Sequence, residues 1–253
     1  MIVPSMSYKE MYDNLAKDKE KVDYRKNYYL PRAIKELKRM REFPACKWYD
    51  YTIPSTGNQY VLFYYAENPS CLNNPLCDSF FVYFVNKKRF AILWGAGMYK
   101  HRHEQKLMAI RDIRAFTSHF FQRYNERFLK NDTLSSNDVA CRFFARNLDF
   151  MPISINEEIN NNIAAYDDLA KQGFRIKDGF CFARTGVEEN QDDAIGNANA
   201  EAIITVFTTY MPESEMSEVQ RNAIDKEHWK NWIQSVKDFE KEAINGSVTL
   251  TLQ

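Results

Sequence analysis

The chain has 253 residues, with 34 Lys+Arg against 34 Asp+Glu and a formal net charge of zero. Hydrophobic residues make up 45% and aromatics 15%, with only 8 Gly and 8 Pro, which excludes disordered, collagen-like and low-complexity chains. No apolar run approaches the ~18 residues that span a bilayer, and the first residues lack the ~7–15-residue apolar stretch of a secretory signal. The expectation is a soluble, cytoplasmic protein without a membrane partner and with a sizeable core.

The elements read as α+β. Tyr8, Met11, Tyr12 and Leu15 fall at helical spacing, predicting a helix over Ser7 to Lys21. Pro31 suits a helix start, with Ala33 to Arg41 continuing from it. Trp48 to Ile53 and Gln59 to Ala66 flank a Pro54–Asn58 turn signal and predict a hairpin. Ser79 to Val85 and Arg89 to Trp94, around Asn86-Lys87-Lys88, predict a second hairpin. Gly95-Ala96-Gly97 breaks the pattern. A long central helix is expected over about Glu104 to Leu129, with Leu107, Ile110, Ile113, Thr117, Phe120, Tyr124 and Phe128 on one stripe.

Ser135-Ser136-Asn137-Asp138 resembles a cap for a helix over about Asp138 to Asn147. A further helix is expected over Ile155 to Lys171. Phe174 to Ile176 and Phe180 to Ala183 flank an Asp178-Gly179 hairpin turn. Ala202 to Tyr210 reads as a β-branched strand, followed by a helical region from Pro212 and a short strand or tail at Val248 to Leu252. The fold expected is an antiparallel sheet with a long central helix and N- and C-terminal helices packed on it. Residues 1–95 form an N-terminal unit of helices and two hairpins, separate or part of one domain with the helix–sheet–helix core of residues 96–253.

Charge is balanced overall but not locally. Met1 to Glu42 carries 11 basic and 7 acidic residues; Lys100 to Lys130 carries 8 and 3; Val187 to Ala243 carries 5 and 13. Such asymmetry marks either a basic face for a polyanion or an acidic region that packs near the basic one and cancels it. The five cysteines contain no CxxC spacing, so no zinc ribbon or redox motif is supported, and free thiols are expected. A loop disulfide between Cys71 and Cys77 is the alternative.

One constellation can carry chemistry. On a helix His119, Arg123 and Arg127 are four apart and share a face. A histidine there serves as acid or base near neutral pH, and arginines supply bidentate donors to a phosphorane. RNA cleavage by transesterification needs this set and no metal. His119, Arg123 and Arg127, followed by the hairpin Phe174 to Phe180 and the Thr-bearing strand Ile203 to Tyr210, resemble the barnase–EndoU–colicin–RelE-like ribonucleases. Similar toxin domains occur in phage and bacterial polymorphic-toxin proteins. The resemblance covers about residues 103–212. It implies that His119 is the general base or acid, that Arg123 and Arg127 bind phosphate, and that Thr208 or Thr209 donates to the phosphate from its strand. Strand alternation puts Thr205 and Thr209 on one face and Thr208 on the other, and Thr209 is the one expected at the phosphate.

His101-Arg102-His103-Glu104 is a second site idea, as a start for zinc with His119 or His228, against an exposed basic turn. No dinucleotide, Walker or nucleophile-elbow motif occurs, so no cofactor is expected. The aromatic runs Tyr49 to Tyr51, Phe63 to Tyr65 and Phe80 to Phe84 either fill a core or stack bases. Two functions follow: a metal-independent ribonuclease acting on RNA, or a non-catalytic interaction module, of mobile-element origin, that binds a protein through its aromatic sheet or acidic C-terminal helix.

Overall fold

The computed structural model describes residues 2–3, 5–100, 107–153, 170–190, 199–215 and 237. The expected helix over 155–171, the C-terminal helical region and the strand over 248–252 lie almost wholly outside those residues.

Among the described residues nine strands form one mixed, mostly antiparallel sheet in the order β1-β2-β3-β4-β5-β9-β8-β7-β6. The strands are β1 (Ala45–Thr52), β2 (Gln59–Ala66), β3 (Leu76–Val85), β4 (Lys88–Lys100), β5 (Leu107–Thr117), β6 (Met151–Ile153), β7 (Ala170–Ile176), β8 (Gly179–Asn190) and β9 (Asn199–Met211). Among the described residues the single parallel pairing joins β5 to β9. Both expected N-terminal hairpins form, β1 with β2 and β3 with β4. The second turns on Asn86 and Lys87, both with positive φ, as a two-residue hairpin turn compatible with strand twist requires. The residue-95 boundary falls inside β4. Gly97 in that strand faces Asp112 of β5 so closely that a Cβ would lie 2.8 Å from the aspartate Cβ, which is why glycine occupies it.

The sheet curls around two helices, α2 (Ser118–Tyr124) and α3 (Ser136–Arg146). Val61, Phe63 and Phe80 from one half of the sheet and Ile176, Cys181, Phe207 and Tyr210 from the other join the same cluster with Phe120, Phe121, Phe143 and Phe144. Lys177 Nζ reaches to 3.5 Å from Glu67 Oε1, tying the β7–β8 turn to the end of β2. These strands are six positions apart, roughly 29 Å in a flat sheet, so the ion pair requires strong curvature. Trp48 Nε1 donates to Asp138 at 2.9 Å, fastening β1 to α3. The Ser135 cap forms as expected, with Asp138 completing a capping box.

The other face of the sheet carries α1 (Tyr8–Leu37), roughly 45 Å long at 1.5 Å per residue. Met11, Leu15 and Val22 pack on Tyr60, Leu62, Phe81, Ile92 and Ile113. Its buried Asp18 accepts hydrogen bonds from Asn58 Nδ2 at 2.6 Å and Tyr60 Oη at 3.0 Å, which satisfies the charge. Pro31 lies inside this helix, not at the start of a second one. Ala33 and Leu37, both fully buried with Ala45 and Tyr64, hold the helix together past the proline and offset its cost of about 3 kcal/mol.

The long central helix does not form. The segment over 107–117 is β5, hydrogen bonded along its length to β4, and the helix begins only at Ser118. The buried Ile113 and Ala115 on one face of this strand and Phe116 on the other, with Arg111, Asp112 and Arg114 between the apolar residues, break the period of two and imitate a helical stripe. Ile113 and Ala115 face α1, whereas Phe116 faces α2 and stacks on Phe207 at 4.4 Å. Thr117 then caps α2 by accepting from Phe120 N, and a π-turn over Asn125–Leu129 closes it.

Candidate functional site

Helix α2 buries Phe120, Phe121 and Tyr124 and turns His119 outward into solvent. Arg123 donates to Glu126 at 2.9 Å, and Gln122 donates to the same carboxylate at 2.8 Å. The hydrogen bond from Gln122, followed by that from Arg123, holds the Glu126 carboxyl below its ordinary range, and the nearby His119 acts in the same direction. Arg127, beyond the helix on the π-turn, donates from Nη1 to the Tyr210 carbonyl at 2.9 Å and lies 3.5 Å from Glu215. Both arginines are therefore engaged within the molecule.

Thr209 is not brought to this group. It pairs with Phe182, one step from the Cys181–Tyr210 pair that faces α2, so alternation turns it to the opposite face. The strand register slips at Thr208, whose Oγ1 donates to the Phe182 carbonyl at 3.2 Å. That bulge places Thr205 and Thr209 on opposite faces, correcting the uninterrupted alternation read from sequence. The structure thus keeps His119 and Arg123 on one outer surface and separates them from Thr209.

His101, His103 and His228 lie outside the described residues. Among the described residues no three His, Cys, Asp or Glu side chains form a metal-binding group. The five cysteines are free, so Cys71 and Cys77 are not bridged. The aromatic runs of β2 and β3 mostly fill the core: Phe63, Tyr64, Tyr65, Phe80 and Phe81 are all buried.

A different surface has the composition of a binding face. Lys17, Lys21, Tyr24, Tyr28, Arg32, Lys35 and Arg39 are all exposed on or just beyond α1, and their spacing of three and four residues places them in one stripe. Tyr24 is 70% and Tyr28 62% exposed. The stripe runs for roughly 33 Å at 1.5 Å per residue. Arg25 braces it from beneath, its guanidinium 5.4 Å from the Tyr28 ring centre and 4.9 Å from that of Tyr51. Arg32 pairs with Glu36 at 2.8 Å, and Lys47 shares that carboxylate at 3.0 Å. Their hydrogen bonds lower the Glu36 pKa to about 2. Among the described residues Lys17, Lys35 and Arg39 form no ion pair.

The sequence reading ends one helix at Lys21 and starts the next at Pro31, so it misses this stripe. Continued from Lys21 through the proline, the i, i+4, i+7, i+11, i+15, i+18, i+22 spacing from Lys17 is readable. Comparison with family models, with characterised proteins and with solved structures finds no match.

Proposed function

We propose that the protein is a non-catalytic binding module for single-stranded RNA, held along the outer face of α1. The observation that carries this reading is the exposed stripe of Lys17, Lys21, Tyr24, Tyr28, Arg32, Lys35 and Arg39. Lysines and arginines along a line match a phosphate backbone, and two exposed tyrosines one helical turn apart offer planar faces on which bases stack. A membrane surface fits less well. A helix lying in a bilayer needs an apolar face of its own, and the one on α1 is occupied by the sheet. No helix among the described residues is long and apolar enough to cross a membrane.

The ribonuclease reading keeps one supporting observation, the outward His119 with Arg123 on the same helix. Against it, the cations meant for phosphate are engaged with Glu126, Glu215 and the Tyr210 carbonyl, and Thr209 is on the far face. Both readings predict RNA binding, and they separate on cleavage. Labelled single-stranded RNA incubated in EDTA with wild-type protein should be bound and remain intact. Cleavage that His119→Ala abolishes would replace the binding-module reading with the nuclease one. Binding that survives replacement of Lys17, Lys21 and Lys35 by glutamate would move the site away from α1.

A further inference from the structure

Strand β1 and helix α3 are fastened to each other at two points. Trp48 Nε1 donates to Asp138 Oδ1 at 2.9 Å, and Arg142 Nη1 donates to the Pro44 carbonyl at 2.8 Å. Two cysteines lie between these points. Cys46 is midway from Pro44 to Trp48 on the strand, and Cys141 immediately precedes Arg142 on the helix. Both belong to the core that β1 and α3 share. Their thiols are hydrogen bonded to each other and are not joined in a disulfide.

The two thiols differ in what can reach them. Cys141 is fully buried, whereas Cys46 is 7% exposed. Cys46 stands in the wall of a cleft of about 720 Å³ between the α1–β1 connection and the segment after α2. Arg41 and Arg142 share that wall with one carboxylate, Glu42. Positive surroundings and partial access favour the thiolate, which is the reactive form of cysteine. Burial, followed by the hydrogen bond with Cys46, pushes the Cys141 thiol above its ordinary range. Cys141 therefore stays a thiol at neutral pH, held behind Cys46.

We propose that Cys46 and Cys141 are a peroxide-oxidised dithiol that closes into a disulfide and staples β1 to α3. The Cys46 thiolate attacks one oxygen of hydrogen peroxide, the O–O bond breaks and hydroxide leaves, giving a sulfenic acid at Cys46. The Cys141 sulfur then attacks Cys46 Sγ and the S–O bond breaks. The Cys141 proton leaves with the hydroxyl as water. Two thiols together lose two electrons, and one peroxide becomes two waters. Ala45, next to Cys46, packs with Ala33 and Leu37 of α1, so the crosslink fixes the strand beneath the C-terminal half of that helix. The dithiol does not depend on the reading of α1 as an RNA-binding face.

The test treats the folded full-length chain with hydrogen peroxide, alkylates the remaining thiols in denaturant and maps the peptides by mass without reduction. A crosslinked pair holding Cys46 and Cys141, lighter than its two peptides by two hydrogens and released by dithiothreitol, is expected. The melting temperature of the oxidised chain should rise by about 4–16 °C, because the link closes a long loop. In Cys141→Ala the Cys46 sulfenic acid should persist and be trapped by dimedone; in Cys46→Ala dimedone should not label Cys141. Circular dichroism checks that both variants are folded, and the wild-type peptide map stands without them. Recovery of Cys46 and Cys141 as free thiols, pairing of either with another cysteine, or a link that forms only when the chain is oxidised in urea overturns the proposal.

Discussion

Replacing Asp178 by alanine should remove a large part of the stability of the chain. Its side chain is 3% exposed. It accepts two hydrogen bonds from Arg146, one from Tyr124 Oη at 2.6 Å and one from Asn147 Nδ2 at 3.0 Å. The Tyr210 hydroxyl donates to its backbone carbonyl. These bonds lock the β7–β8 turn to α2, α3 and β9. Removing the carboxylate leaves a guanidinium and a buried phenol unpaired, a loss of about 3–5 kcal/mol. Arg146 keeps 21% of its side chain exposed, which puts the loss toward the lower end. At 2–4 °C per kcal/mol for a chain of this size, the melting temperature should fall by roughly 6–20 °C. Thermal and urea unfolding followed by circular dichroism measure it. Asp178→Ala combined with Arg146→Met should be less destabilised than the sum of the two single variants by more than about 1 kcal/mol, because the orphaned charge is gone. A loss below about 1 kcal/mol for Asp178→Ala, or strict additivity, would refute the reasoning that a buried, hydrogen-bonded ion pair organises this end of the sheet.

Replacing Lys17, Lys21 and Lys35 by alanine should flatten the slope of log affinity for single-stranded RNA against log salt by about 2, at roughly 0.7 for each phosphate no longer neutralised; fluorescence anisotropy at several salt concentrations reads it. Tyr24→Ala with Tyr28→Ala should cost about 1–3 kcal/mol per base unstacked without changing that slope. Gly179→Ala should destabilise by about 2 kcal/mol or more, since φ is +145° and a Cβ would sit 2.6 Å from the Met211 carbonyl oxygen; a urea midpoint checks it. Acid should unfold the protein through Asp178. Burial tends to raise its carboxyl pKa, but hydrogen bonds from Arg146, Tyr124 and Asn147 outweigh that and hold it below the ordinary value of 3.8. Its contribution is complete above pH 3.8 and is lost as pH falls through the lower folded value. Asp178→Asn should flatten the acid limb of a stability–pH profile, and an unchanged limb would contradict this.

The legible parts of the fold are those whose signals are local. The hairpin of β1 and β2 shows in alternation around Pro54 to Asn58, and α3 shows in its Ser135 cap. The illegible parts depend on distant partners. The apolar residues of β5 read as a helical stripe because both of its faces are buried, one by α1 and the other by α2, and one sequence does not reveal that double cover. Pro31 reads as a boundary because the buried packing of Ala33 and Leu37 on Tyr64 is not local either. The candidate site divides in the same way. His119 reads as helical and is outward on α2, but a single-residue slip at Thr208 turns Thr209 to the other face, and no residue near Thr208 announces it. The stripe on α1 is readable residue by residue and becomes a surface only once the helix is continuous.

Anisotropy titration of fluorescein-labelled single-stranded RNA in EDTA, with the RNA recovered and run on a denaturing gel, tests the central claim most directly. The wild-type protein should bind with an affinity that falls steeply with salt, the Lys17→Glu, Lys21→Glu, Lys35→Glu variant should lose that binding while staying folded, and the RNA should be recovered full length. Binding that the variant retains, or RNA recovered as fragments that His119→Ala leaves whole, would contradict the account.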